Sequence, residues 1–75
     1  MKLLYVNNDG GGYDDFIEVT DGMTVERFFD EKMSGRKADD YLIRVNRQPV
    51  ARQYVLQESD RITITPTKIA GAIAT

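Results

Sequence analysis

The chain has no cysteine and no histidine. Disulfide staples, the usual zinc frameworks, a thiol nucleophile and the commonest general base are thereby excluded together. It also lacks a long apolar run: Leu3 to Val6 is four residues long and Asn7-Asn8-Asp9 ends it. A secretory leader needs a longer apolar region and a membrane span needs about 20 residues, so a cytoplasmic protein without membrane association is expected. No excess of charge of one sign is present either, with ten basic and twelve acidic residues interspersed. Without a positive field there is nothing to gather nucleic acid.

What is there suits one small folded unit. In 75 residues, 41% are hydrophobic and 29% charged, an ordinary balance for a globular domain. A chain of this size builds one core and has little spare stability.

Lys2 to Val6 reads as a strand running into the turn cluster Asn7 to Gly12, and Tyr13 to Thr20 reads as its antiparallel return. After Asp21-Gly22, the residues Val25, Phe28, Phe29 and Met33 fall on one helical stripe, with charged residues between them. Thr24 stands at the N-cap and Gly35 at the C′ position, which predicts a helix over 25–34. Arg36 to Asp40 is a polar connection. Tyr41 to Val45 is a third strand, Asn46-Arg47 a turn, and Gln48 to Val50 a short, proline-marked edge strand. Tyr54 to Leu56 is expected to form a single turn that plugs the end of the core. In "RITITPT" the strict alternation of Ile62 and Ile64 with Arg61, Thr63 and Thr65 marks a half-buried last strand. The order strand, strand, helix, strand, short strand, strand implies an α+β protein. Its expected form is a β-grasp with a mixed four- to five-stranded sheet packed on one helix, over residues 1–70, with 71–75 as a tail.

Four segments resemble the bacterial sulfur-carrier proteins of thiamin and molybdopterin synthesis, which are ubiquitin-like, and the thiamin branch most. They are "DGMTVERFF" at the helix start, "VNRQPV" at the hairpin, "ESDRITI" entering the last strand and "IAG" near the end. The resemblance implies a non-catalytic carrier without a cofactor. Its partner would be an ATP-dependent, E1-like activating enzyme that adenylates a free terminal Gly-Gly before sulfur is loaded as a thiocarboxylate. This chain departs at that point: Gly71 matches the first glycine, Ala72 replaces the second, and Ile73-Ala74-Thr75 follow. Either a protease trims the chain to Gly71 or Ala72, or the chain is a partner-binding module whose tail is dispensable.

The binding reading rests on the period of two along strands. If Leu3, Tyr5, Ile43, Val45, Ile62 and Ile64 face the helix, then Leu4, Val6, Leu42 and Arg44 face outward. These four are the candidate contact residues, on a monomer or a weak dimer. The remaining motifs read as architecture. Asp9 to Gly12 precedes a strand, so it is a hairpin tip and not a phosphate cradle. Asp14-Asp15 and Asp39-Asp40 read as solvated carboxylates, not metal ligands, and Phe28 and Phe29 read as core. Arg44, Arg47 and Arg52 are expected near the second hairpin, as solvated arginines or as a cluster that meets an acidic partner.

Overall fold

The computed structural model describes residues 1–9 and 12–67. Its strands are β1 (Lys2–Asn7), β2 (Tyr13–Glu18), β3 (Tyr41–Val45), β4 (Gln48–Pro49) and β5 (Arg61–Pro66). The helix α1 (Val25–Lys32) lies between β2 and β3, and a short 3-10 turn, Ala38–Asp40, sits within the polar connection that follows it. The sheet order is β2-β1-β5-β3-β4. β1 and β5 run parallel, and the other neighbours are antiparallel. This is the α+β, β-grasp arrangement: a five-stranded mixed sheet with one helix against one face.

The alternation in β5 sets the depth of the sheet. Ile62 and Ile64 are fully buried, and in register they meet Tyr5 and Asn7 of β1 on one side and Val45 and Ile43 of β3 on the other. Leu3 and Tyr5 extend the same face, and Val25, Phe28 and Phe29 of α1, with Met33 just after it, come down on it. Each such burial contributes about 1.5–3 kcal/mol. The helix begins where its sequence says it should: Thr24 is extended, and its Oγ1 accepts the Arg27 N–H at 3.2 Å. It ends two residues before Ser34. Met33 leaves helical geometry, although its N–H still donates to Phe29 O at 2.7 Å. That departure buries the Met33 side chain, whose Sδ accepts from Asn7 Nδ2 at 3.2 Å.

Two further boundaries differ from the sequence reading. β2 stops at Glu18, not Thr20, because the Thr20 carbonyl already accepts from Met23 N in the next turn. Tyr54 to Leu56 is extended, not a turn. Val55 bridges Thr24, and Leu56 N donates to Met23 O at 2.8 Å, which carries the Leu56 side chain into the core.

The β3–β4 connection has two residues, Asn46 and Arg47, both at positive φ (54° and 72°). That is the type I′ geometry whose twist suits a hairpin. Asparagine tolerates it, but arginine carries a Cβ into a region that glycine enters freely. Arg47→Gly is therefore expected to raise stability by about 0.5–1 kcal/mol, as an increase in urea midpoint with unchanged slope.

Candidate partner-binding face

α1 covers one face of the sheet, and among the described elements none covers the other. Its layout follows from the register. One row runs Phe16–Leu4–Arg61, the next Asp14–Val6–Thr63–Arg44–Pro49, and beside them Leu42 lies opposite Thr65. The four residues expected to point outward are all on this face, but they do not form one apolar island. Val6 is only 9% exposed, a short side chain on an inner strand between the longer flanks of the sheet. Leu4 is half-buried, Leu42 is 37% exposed and Arg44 is exposed. With strands ~4.8 Å apart and two residues spanning ~6.6 Å, Leu4 and Leu42 lie about 16 Å from one another.

Sequence reasoning missed the largest apolar contributor. Phe16 is 59% exposed and lies directly opposite Leu4. Grouped with Ile17 and Val19 it reads as one apolar strand, yet neighbouring residues on a strand must take opposite faces. Arg61 was likewise missed. It sits beside Leu4 and diagonal to Arg44, and among the described residues neither arginine is in an ion pair. The face thus offers an aromatic–aliphatic pair at one corner, a leucine at the opposite corner, and two unneutralised guanidinium groups between them. Of the arginines expected together, Arg52 is elsewhere, paired with Asp39.

One buried carboxylate holds the loops that frame this face. Asp60, just before β5, is 6% exposed. Its Oδ1 accepts from Asn46 Nδ2 at 2.9 Å, and its Oδ2 accepts from Tyr54 Oη at 2.9 Å and Gln57 N at 2.8 Å. Asn46 in turn accepts the Arg61 N–H, so the second hairpin and the entry to β5 are tied through one residue.

The tyrosines give the fold a pH dependence. The hydrogen bond to Asp60 holds the Tyr54 phenol above its ordinary value, the bond from Tyr41 Oη to Asp9 does the same for Tyr41, and burial raises Tyr5. The unfolded chain loses these protons near pH 10, before the folded chain does. Their contribution to stability is thus whole below pH 10 and is lost as pH climbs through the raised values. The melting temperature should fall between pH 9 and pH 11 in step with tyrosinate absorbance; an unchanged melting temperature would contradict it.

Among the described residues no three carboxylates gather as a metal site, and no helix is long and apolar enough to cross a membrane. Gly71 and Ala72, the candidate carrier terminus, lie outside the described residues.

The fold has a counterpart among solved structures. A ubiquitin-like protein from the hyperthermophilic archaea Caldiarchaeum subterraneum superposes with a TM-score of 0.69, over 92% of this chain and 99% of that one, at 17% sequence identity. The fold is ubiquitin-like. No family model matches the chain, and no curated protein matches it. At this identity the likeness carries the fold alone, and function must be argued from the surface.

Proposed function

We propose that this ubiquitin-like chain is a small, non-catalytic partner-binding module and that the open sheet face is its contact surface. The observation that carries the reading is the exposed Phe16–Leu4 pair set beside Arg44 and Arg61 on a face that no described element covers. Such a surface suits a partner that presents an apolar projection flanked by carboxylates, because the apolar pair supplies affinity and the free arginines supply orientation. The test is retention of proteins from the native host by the full chain, compared with Leu42→Asp and with the double variant Arg44→Glu, Arg61→Glu. A partner held by the full chain and lost by the face variants supports the reading. Identical retention by all three, with folding intact, overturns it.

A second reading, carriage of sulfur, is favoured by the four segments that resemble the thiamin-type carriers. In it, trimming exposes Gly71 or Ala72 as the acyl terminus for an E1-like activating enzyme. The intact mass of the untagged protein from its own host decides. A chain ending at Gly71 or Ala72 with one oxygen replaced by sulfur supports carriage, and a full-length mass throughout removes it.

A further inference from the structure

β2 is an edge strand: β1 lies on one side, and among the described residues no strand lies on the other. The phase of its hydrogen bonds is fixed by the reciprocal pair at its end: the Met1 amino group donates to Val19 O at 2.8 Å, and Val19 N donates to Met1 O at 2.8 Å. Alternation along an antiparallel ladder then turns the backbone groups of residues 13, 15 and 17 toward β1 and those of Asp14, Phe16 and Glu18 away from the sheet. The Phe16 N–H confirms this phase, since it bonds the Asp15 carboxylate at 2.8 Å and not β1.

Behind this edge runs a groove. Two clefts of about 350 and 370 Å³ lie between β2, with its continuation, and α1, and Lys32 borders both. Tyr13 and Ile17 line one cleft, and Val19 and Phe28 the other. The strand that forms one wall is strongly acidic: Asp14, Asp15 and Glu18 occur among its six residues, with no base. Glu18 is shared with the Met1 amino group at 3.5 Å, and Glu31 on the helix wall is paired with Arg27. Lys32 is the one base bordering the clefts.

We propose that the β2 edge and the groove behind it accept an extended, basic segment of a partner protein as an added sixth strand. The pattern of that segment follows from the pleat. Residues turned toward α1 lie beside Tyr13 and Ile17, with Asp15 between them, and are to be apolar at those two positions; residues turned the other way meet Asp14 and Glu18, with Phe16 between them, and are to be basic at those two positions. Backbone bonds to residues 14, 16 and 18 supply affinity, and the alternation supplies selectivity. The same acidic row argues against a second copy as occupant, because an antiparallel β2–β2 pair would set carboxylates against carboxylates. In the unbound state the Asp15 carboxylate takes the Phe16 N–H, and a carbonyl of the incoming strand replaces it. This site adjoins the open sheet face, on which Asp14 and Phe16 also lie, but it uses the β2 edge and the groove behind it and neither Arg44 nor Arg61, so its failure leaves the proposed function standing.

The experiment titrates the full-length, isotope-labelled chain with the peptide acetyl-Lys-Val-Lys-Val-Lys-Val-amide and follows amide shifts and hydrogen exchange. The expected result is shifts centred on residues 13–18 and Lys32, with slowed exchange of the Asp14 and Glu18 amides. Binding should be at least tenfold weaker for acetyl-Glu-Val-Glu-Val-Glu-Val-amide, and also for the Asp14→Lys and Glu18→Lys variants. Retained amide spectra and melting temperature confirm that the variants fold. No shifts at millimolar peptide, equal binding of the acidic peptide, or shifts centred on Leu42, Arg44 and Arg61 would each overturn the proposal. So would concentration-dependent shifts of residues 14–18 without peptide, which would make a second copy the occupant.

Discussion

Asp60→Ala is expected to lower stability by about 3 kcal/mol or more, a large share of the total for a domain this small. The carboxylate is buried and accepts three hydrogen bonds, from Asn46, Tyr54 and Gln57. Removing it leaves those donors facing one another without an acceptor, at about 1–3 kcal/mol for each that water does not reach. Asp60→Asn refines the argument. An amide has one oxygen where the carboxylate has two, and its NH2 must face a donor whichever way it is turned. Its loss should therefore be intermediate. Urea unfolding followed by circular dichroism measures both, and a change below about 1 kcal/mol for the alanine variant would show that the network is not structural.

Phe28→Ala should cost about 3–5 kcal/mol through lost burial and the cavity left behind. Phe28 is 1% exposed, and its ring meets Tyr5 edge-on, with centroids 5.1 Å apart and planes at 84°. At about 4–8 °C for each kcal/mol in a chain of this size, the melting temperature should drop by roughly 12–40 °C. Phe16→Ala provides the contrast. Phe16 is 59% exposed, so the same chemical change should stay within about 0.5 kcal/mol. Equal losses at the two positions would mean that Phe16 is buried and the open face covered.

Much of the fold was legible because the strongest local signals were also the tertiary ones. The alternation in Arg61–Pro66 defines the core face of the central strand, and the Thr24 cap fixes the helix start. Legibility fails where a residue's surroundings come from distant chain. Asp60 reads as a turn residue, and its burial depends on Asn46, fourteen positions earlier. The helix end depends on Asn7 and Tyr5 reaching Met33 across 26 and 28 positions. The candidate face was readable as a direction and not as a surface. Parity put Leu4, Val6, Leu42 and Arg44 on one side, but only the register shows that Val6 is sheltered, that Leu42 stands apart, and that Phe16 and Arg61 flank Leu4. The choice between partner binding and carriage turns on Gly71 and Ala72, which lie outside the described residues.

The place of β5 in the sheet bears on how the protein comes into being during translation. β5 lies between β1 and β3 and joins two hairpins that have no direct strand contact with each other. Until Arg61–Pro66 have left the ribosome, the two hairpins lack the strand that joins them, and the core lacks Ile62 and Ile64. The sheet can therefore be completed only once β5 is available. The interval before it is the time when the newborn chain is most open to proteases and to chaperones that bind exposed apolar surface.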